Sequence, residues 1–268
     1  MTRGRTATQL VVHHTDAGMR ETSDEVIVEA PLEIRLDGRR VTTTMRTPGH
    51  DFELAVGFCL AEGLLPGAAP EAVRRHALGA AANAAEDVVA IETGGIAPVP
   101  EPRLTTTTSS CGWCGTDGVD DVTATITALD DVTRIPPSVM ASVPERVRGH
   151  QDLFSATGGV HAAAIFDTDG RVLVVREDIG RHNAVDKVVG RLLLDDRLPA
   201  SGLGLFVSGR TSFEIIQKAW AAGLGSVVAV SAPSSLAVEA AGRAGITLAG
   251  FARSGRLNLY TQLAGVRA

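Results

Sequence analysis

Two cysteines separated by two residues are the groups in this sequence best suited to covalent chemistry. Cys111 and Cys114 lie in the stretch SSCGWCG, among small and flexible neighbours. A thiolate on an accessible loop is both a nucleophile and a metal ligand. The pair is therefore compatible with a zinc site, with a dithiol redox couple, or with a carrier that holds a sulfur atom as a persulfide. Its spacing alone does not separate the last two.

A zinc site is disfavoured by the ligands that the sequence offers. Structural zinc takes about four ligands from Cys, His or carboxylate side chains, and the chain has no second CxxC. The spacing of His161 and His182 matches no zinc module, and zinc deaminases pair an HxE with a PCxxC. Here VHAAA lacks the glutamate, and Ser110 replaces the proline. We therefore predict no protein-bound zinc.

A thioredoxin-like redox couple is also disfavoured. The pair follows a run of threonines in mid-chain rather than an amino-terminal βαβ unit. The third cysteine, Cys59, falls on the apolar stripe of a helix predicted in PGHDFELAVGFCLAEGLL. We interpret Cys59 as a small core residue, which is the usual role of a buried thiol.

The last third of the chain predicts the sheet that carries the rest of a site. The apolar strands LGLFVS, SVVAVS and TLAGFA alternate with the helical segments SFEIIQKAWAAG and SSLAVEAAGRAG. Continuous apolar strands separated by helices indicate a buried, mostly parallel sheet, so the predicted fold class is α/β. A hairpin with its turn at residues 167–170 and the helix RHNAVDKVVGRLLL precede this region.

Ligands of such sheets bind at the carboxyl ends of the strands. Three loops lie at these strand ends, namely residues 208–210, 231–233 and 253–256. A fourth loop, residues 177–182, joins the preceding hairpin to the helix RHNAVDKVVGRLLL. Helix amino ends beside them offer N–H groups to anions. Three of the loops also carry arginine, and the arginines are Arg181, Arg210, Arg253 and Arg256. An acidic protein that gathers arginine on one edge is predicted to bind a polyanion, of which a phosphorylated nucleotide is the simplest.

The composition limits the classes of function. The 268 residues are 44% hydrophobic and carry a net charge of −6, which is typical of a soluble globular protein and argues against a general nucleic-acid binder. No segment has the length of a signal peptide's apolar core or of a membrane span, and three cysteines give no disulfide framework. We therefore predict a cytoplasmic protein that binds neither nucleic acid nor membrane.

The chain divides into four predicted segments. Residues 1–22 are polar and patternless, and we expect a disordered tail there. Residues 23–104 open with a hairpin around Asp37 and Gly38 and form a smaller α+β subdomain. Residues 105–120 hold the two cysteines on a mobile loop, and residues 121–268 form the main α/β domain.

Several ordered motifs together resemble the formate dehydrogenase accessory sulfurtransferase family, the FdhD sulfur carriers. The CxxC alone is weak evidence, whereas the ordered set is highly specific. The motifs run in family order from about residue 25 to the carboxyl end, and they are AVGFCLAEG, SSCGWCG, TGGVHAAA, EDIGRHNAVDKVVG, SGRTSFEIIQKAWAAG, VSAPSSLAVEAA and GITLAGFARSGRLNLYT.

The resemblance implies a sulfurtransferase. Such a protein receives sulfur from a cysteine desulfurase as a cysteine persulfide and passes it to the molybdenum bis(molybdopterin guanine dinucleotide) cofactor, which then enters the formate dehydrogenase catalytic subunit. The resemblance also implies a cytidine deaminase-like main domain with a mostly parallel or mixed sheet and no zinc, a smaller amino-terminal subdomain, and a homodimer. GDP is the expected mimic of the bound cofactor, because the guanine dinucleotide halves of the cofactor carry pyrophosphates.

Individual residues follow from the same resemblance. Cys111 corresponds to the persulfide carrier and Cys114 to an assisting thiol. The segment expected to bind the cofactor is the strand-end loop already chosen from the sheet, and it comprises Phe251, Ala252, Arg253, Ser254, Gly255 and Arg256. The neighbouring loops add four candidate binding residues on physical grounds, namely Ser208, Arg210, Arg181 and His182.

Two alternatives from other classes remain open. The chain could be a chaperone that binds the molybdenum cofactor without chemistry, or a zinc-dependent deaminase relative that has kept its activity. The sequence fixes no role for His161, Asp178 or His182, which could equally cap helices or close turns.

Overall fold

The computed structural model describes residues 4–65, 70–77, 87–100, 126–130 and 132–261. The strands are β1 (Thr6–Thr15), β2 (Gly18–Ile27), β3 (Ala30–Leu36), β4 (Arg39–Arg46), β5 (Ala72–Ala77), β6 (Asp87–Glu92), β7 (His161–Phe166), β8 (Val172–Asp178), β9 (Gly204–Val207), β10 (Ser226–Ala229), β11 (Thr247–Arg253) and β12 (Arg256–Leu259). The helices are α1 (Asp51–Ala61), α2 (Pro137–Arg148), α3 (Asp152–Thr157), α4 (Arg181–Leu194), α5 (Phe213–Ala221) and α6 (Ser235–Ala244). Within these described ranges, no helix has both the length and the apolar character needed to cross a membrane.

The larger sheet has six strands in the order β12-β11-β10-β9-β7-β8. Its centre is parallel, since β10 pairs with both β9 and β11 in the same direction, whereas β7, β8 and β12 run antiparallel to their neighbours. Strands β9 and β10 are buried along their whole length, as the continuous apolar runs predict. The predicted α/β class, with a mixed sheet and flanking helices, is confirmed.

Successive residues of each central strand belong to two different cores. Leu205 and Val207 of β9 belong to the core that also contains the apolar faces of α4, α5 and α6. Phe206, between them, packs with Met140 and Val147 of α2 on the opposite face. This alternation is the pleat of a strand that is covered on both sides. Helix α2 is therefore held against the face of the sheet that the other long helices leave open.

The smaller sheet has four strands in the order β4-β3-β6-β5. Strands β3 and β4 form the predicted hairpin, with Gly38 in the left-handed conformation that its turn requires. Helix α1 is buried along this sheet. The division at residues 23–104 into a smaller α+β subdomain stays a prediction. Leu32 and Ile34 of β3 belong to the same core as Leu205 of β9. The two sheets therefore share one hydrophobic core.

Residues 6–27 form a two-stranded hairpin, so the prediction of a disordered tail over residues 1–22 is wrong from residue 6 onward. Strands β1 and β2 pair continuously, from Thr6 opposite Ile27 to Thr15 opposite Gly18. Most side chains of this hairpin are exposed, including Leu10 and Met19. The two strands are held together by the hydrogen bonds between their backbones. Because neither face is buried, the strands lack the alternation by which a half-buried strand is recognised.

Helices α1 and α4 cross at two glycines. A Cβ atom at Gly57 would lie 2.0 Å from the carbonyl oxygen of Asp186, and one at Gly190 would lie 1.8 Å from the carbonyl oxygen of Glu53. Such distances leave no room for a side chain, so the two backbones approach each other as only glycine allows. This crossing joins the smaller subdomain to the helix that begins at the edge of the larger sheet.

Replacing Gly190 by alanine is expected to lower the free energy of unfolding by about 3 kcal/mol or more, because the added methyl group forces the two helices apart. Gly242→Ala is the matched control, since this helical glycine in α6 is exposed and has no atom within 4 Å of a built Cβ. The control is expected to raise stability by up to about 1 kcal/mol. Urea denaturation of both variants measures the difference, and equal effects would contradict the close crossing.

Candidate functional site

The carboxyl ends of four strands meet at one edge of the larger sheet. Strands β9, β10 and β11 are parallel and end there together. Strand β8 also ends there, because Asp178 pairs with His161 at the start of antiparallel β7. The structure therefore brings Arg181, Ser208 and Arg253, which follow or end these strands, to the common edge that the sequence predicts.

A cleft of about 620 Å³ opens at this edge, between helices α2 and α3 and the ends of β7, β9, β10 and β11. The strand order places His161 and Ser208 towards one end and Arg253 towards the other. Between them the lining is largely apolar and includes Phe206 and Val230. The two helices contribute residues that the sequence analysis did not single out, namely Glu145, Arg148, Gln151 and Phe154.

Residues 251–256, here called the arginine rim, comprise the end of β11, the turn at Ser254 and Gly255, and the first residue of β12. The register shifts after Gly250, and Phe251, Ser254 and Gly255 have φ angles of 52°, 50° and 71°. A left-handed backbone is uncommon for Phe and Ser, and such conformations concentrate at functional sites. The irregularity leaves Phe251 44% exposed, whereas the neighbouring Ala252 is fully buried.

The arginine rim borders two hollows. Arg253 and Ser254 line the cleft, and together with Phe251 and Arg256 they also line a second hollow of about 400 Å³. The N–H of Ser254 donates to the carboxylate of Glu145 at 2.6 Å. The Glu145 carboxylate accepts a hydrogen bond here that a phosphate oxygen could accept in the same way. The exposed backbone of this turn is thus suited to an anion.

Arg181, Arg210 and His161 gather around Gly209, and we call these three residues the Gly209 cluster. A Cβ at Gly209 would lie 3.4 Å from the His161 ring and 3.6 Å from Cδ of Arg181. His161 Nδ1 is also 3.5 Å from Oγ of Ser208, which accepts a hydrogen bond from the Ala162 N–H at 2.8 Å. Ser208 therefore links the cluster to the first residues of β7.

Burial and like charges set the protonation of the Gly209 cluster. Burial lowers the pKa of His161, and the positive charges of Arg181 and Arg210 lower it further, which favours a neutral imidazole at neutral pH. Burial also lowers the pKa of Arg181, followed by the charge of Arg210, while Glu214 opposes the shift. The Arg181 guanidinium nevertheless stays protonated, because an arginine in a protein is in effect always charged.

His182, which the sequence analysis placed among the binding residues, is buried instead of lining the cleft. Its Nε2 lies 3.2 Å from Oγ of Ser212 and 3.0 Å from Oε2 of Glu214. The Ser212 hydroxyl donates to the same Glu214 carboxylate at 2.9 Å. Burial lowers the pKa of His182, against the effect of the Glu214 hydrogen bond. These contacts tie the start of α4 to the start of α5.

Asp178 is the centre of a buried network that holds the start of α4. Its Oδ2 accepts from Nζ of Lys187 at 2.6 Å and from the N–H of Thr47 at 3.1 Å. Its Oδ1 accepts from the N–H of Gly180 at 2.8 Å and from Nδ2 of Asn183 at 3.0 Å. Burial lowers the pKa of Lys187, and Asp178 opposes that shift. The network fixes the loop that carries Arg181.

Glu177, next to Asp178, holds the helix on the other side of the cleft. Its carboxylate accepts from the N–H of Leu153 at 2.9 Å and from the N–H of Phe154 at 2.8 Å. A carboxylate at the amino end of a helix satisfies free N–H groups and interacts favourably with the helix dipole. Glu177 thereby positions α3 beside the strand ends.

The predicted catalytic residues Cys111 and Cys114 lie outside the described residues, as does the whole predicted mobile loop of residues 105–120. Cys59, in contrast, is fully buried in the core that the two sheets share. Burial raises the pKa of its thiol well above the usual range, so it is not a nucleophile. The interpretation of Cys59 as a core residue is confirmed.

Comparison with known proteins gives matches over nearly the whole chain. The model of the FdhD/NarQ family matches residues 27–266. The chain is 45% identical to the Sulfur carrier protein FdhD of Nocardia farcinica, over 96% of this chain and 93% of that protein. It is also 45% identical to the Sulfur carrier protein FdhD of Mycobacterium tuberculosis, over 94% of this chain and 95% of that protein.

A solved structure shares the fold. It is the crystal structure of a protein from Desulfotalea psychrophila assigned as a formate dehydrogenase accessory protein. The two structures superpose with a TM-score of 0.73 at 24% identity, over 97% of this chain and 98% of the other. The predicted likeness of the main domain to cytidine deaminase stays a prediction.

Lys187→Met is expected to lower the free energy of unfolding by about 3–5 kcal/mol, because it leaves the Asp178 carboxylate buried without a counter-charge. The double variant Asp178→Asn, Lys187→Met is expected to recover part of this loss, since it buries neither charge. Urea denaturation of the single and double variants gives the coupling between the two groups. A single variant that unfolds like the wild type would show that the pair does not hold the loop.

Proposed function

The chain belongs to the FdhD/NarQ family, and we propose that it is a sulfurtransferase that serves formate dehydrogenase. It accepts sulfur from a cysteine desulfurase as a persulfide on Cys111 and transfers the sulfur to the molybdenum bis(molybdopterin guanine dinucleotide) cofactor. The observation that carries this proposal is the family match over residues 27–266, a range that includes both the CxxC and the arginine rim. Relatives that are 45% identical are named sulfur carrier proteins.

The geometry of the sheet edge supports an anionic cargo. Arg253 and Arg256 are exposed on the rim, and Ser254 and Gly255 present left-handed backbone beside them. Guanidinium groups bind phosphate through paired hydrogen bonds, and successive backbone N–H groups in a turn of this kind bind anions. The pyrophosphates of the guanine dinucleotide halves supply such anions, and GDP carries the same group in a simpler ligand.

Sulfur reaches Cys111 by exchange between a thiolate and a persulfide. The Cys111 thiolate attacks the outer sulfur of the desulfurase persulfide, the S–S bond there breaks, and the desulfurase cysteine leaves as a thiolate. Delivery of the sulfur as sulfide requires two electrons. Cys114 supplies them when its thiolate attacks the inner sulfur of the Cys111 persulfide, which leaves a disulfide between Cys111 and Cys114. A cellular dithiol reduces this disulfide before the next cycle.

The proposal also specifies where the protein works and with what. It acts in the cytoplasm as a homodimer, and its partners are the cysteine desulfurase and the catalytic subunit of formate dehydrogenase. Neither zinc, nucleic acid nor a membrane takes part. A chaperone that binds the cofactor without chemistry would use the same rim but would never carry sulfur covalently, so labelling of the cysteines separates the two functions.

Incubation with a cysteine desulfurase and cysteine is expected to add the mass of one sulfur atom to the protein, because Cys111 accepts the persulfide sulfur. Intact mass spectrometry measures the adduct, which is expected to vanish in Cys111→Ala. Cys59→Ala is the control and is expected to label like the wild type, since its thiol is buried and protonated. Equal labelling of wild type and Cys111→Ala would remove Cys111 from this role.

Arg256→Ala is expected to weaken GDP binding by about 1.5–3 kcal/mol, which is the usual contribution of a hydrogen bond to a charged group. Isothermal titration calorimetry measures the affinity. Arg243→Ala is the matched control, because Arg243 is an exposed arginine in the last turn of α6, away from the strand-end edge. GDP affinity that stays unchanged in Arg256→Ala would exclude this residue from the binding site.

A further inference from the structure

The Gly209 cluster holds two positive charges close together. Arg210 lies close enough to Arg181 to lower the pKa of Arg181, after the larger effect of burial. Glu214 opposes this shift, and Oε2 of Glu214 also contacts His182 and Ser212. Arg181 is partly buried and Arg210 is exposed. The two guanidinium groups repel each other, and an anion bound between them removes that repulsion.

Nε of Arg181 is buried and has no hydrogen-bond partner within the described part of the chain. It belongs to the side chain whose Cδ lies 3.6 Å from a Cβ built at Gly209. Unpartnered buried donors are rare in folded proteins, because leaving them unsatisfied is unfavourable. A bound oxyanion offers several acceptor oxygens and would satisfy this donor.

Two helices also begin beside the cluster. Helix α4 starts at Arg181 and helix α5 at Phe213, and neither has a side-chain cap, whereas Ser234 caps α6. Ser212 stands at the capping position of α5, yet its hydroxyl donates to Glu214. The free N–H groups of the first turns therefore add to the positive potential at the cluster.

The Gly209 cluster is separate from the arginine rim. The cluster lies at the end of β9 and the rim at the end of β11, with β10 between them. Neighbouring strands are about 4.8 Å apart, so roughly 10 Å separates the ends of β9 and β11 along the edge. That spacing leaves room for one phosphate group at each place. The cleft that joins them has a largely apolar lining, with Phe206 and Val230.

We propose that Arg181 and Arg210 form a second anion-binding subsite, which takes a phosphate or pyrophosphate group while the arginine rim holds another. The inference rests on the proposed function for the occupant of the rim, and it adds that one chain holds two anionic groups at once. The second group is either the far phosphate of the same ligand or a free inorganic oxyanion. Both sources share the chemistry of a tetrahedral oxyanion that accepts hydrogen bonds from a guanidinium fork.

The test is a calorimetric titration of inorganic pyrophosphate into protein already saturated with GDP. The wild type is expected to bind one pyrophosphate per chain under these conditions. Arg210→Gln is expected to weaken that binding about tenfold or more while GDP affinity is kept, because one charged hydrogen bond is lost. Arg256→Ala is expected to weaken GDP and to leave pyrophosphate unchanged. Arg243→Gln is the control for the loss of one exposed positive charge.

The outcomes separate the subsite from the proposed function. Pyrophosphate that fails to bind, or that competes with GDP and is insensitive to Arg210→Gln, overturns the second subsite and leaves the rim intact. Pyrophosphate that binds and depends on Arg210, in a protein that shows no affinity for GDP, supports the subsite and removes the proposed ligand of the rim. Arg210 is exposed, so its variant is expected to fold even where Arg181→Gln does not.

A nucleotide with a longer chain of phosphates than GDP identifies the source of the second anion. Diguanosine tetraphosphate is expected to bind the wild type about tenfold or more tightly than GDP if its far phosphates reach Arg181 and Arg210, and to lose this advantage in Arg210→Gln. Equal affinities for the two nucleotides, together with pyrophosphate binding that depends on Arg210, assign the subsite to a free oxyanion.

Discussion

The buried ion pair between Asp178 and Lys187 is the interaction on which the geometry of the site depends. Both side chains are fully buried, and their charged atoms lie 2.6 Å apart. Neither charge is stable in such a place without the other, so the pair forms as a unit. Because Thr47 of the smaller subdomain donates to Asp178 and accepts from Lys187, the same unit fixes where that subdomain meets the edge of the larger sheet. Arg181 begins α4 three residues after Asp178, so its position follows from the pair.

The amino-terminal subdomain therefore supports the site, although none of its described residues lines the cleft. Its helix α1 contacts α4 through glycine backbones and shares the central core with β9. Glu53 of α1 adds a bidentate pair with Arg176 of β8, at 2.5 and 2.7 Å. A helix fixed by backbone contact, by a shared core and by ion pairs in its first turn has little freedom to shift. The start of α4, which carries Arg181, is thereby held in place against the larger sheet.

Sequence patterns identify the elements that bury an apolar face, and they miss contacts made between distant segments. The stretch RHNAVDKVVGRLLL coincides with α4, Arg181–Leu194, because its apolar residues recur with the helical period. The strand-end loops follow from the alternation of strands and helices. In contrast, β7 lies between β8 and β9 in the sheet, an order that no local pattern reveals, and this order brings His161 to the cleft. The contact of Glu145 with the Ser254 N–H spans 109 residues and depends on how α2 packs. The hairpin of residues 6–27 escapes prediction because most of its side chains are exposed, so neither face shows the alternation of a half-buried strand.

The net charge of −6 does not oppose the binding of a polyanion at this edge. At physiological ionic strength charges are screened over about 8 Å, so a ligand at the edge interacts with the arginines beside it and hardly with carboxylates elsewhere on the surface. The same distance is close to the spacing of about 10 Å between the Gly209 cluster and the arginine rim, estimated from two strand separations. Two anionic groups bound there would repel each other weakly, and each would be attracted by its own pair of arginines. An acidic surface with two local basic points at one edge therefore favours a compact ligand with separated anions over a long nucleic acid, whose evenly spaced phosphates require a continuous basic surface.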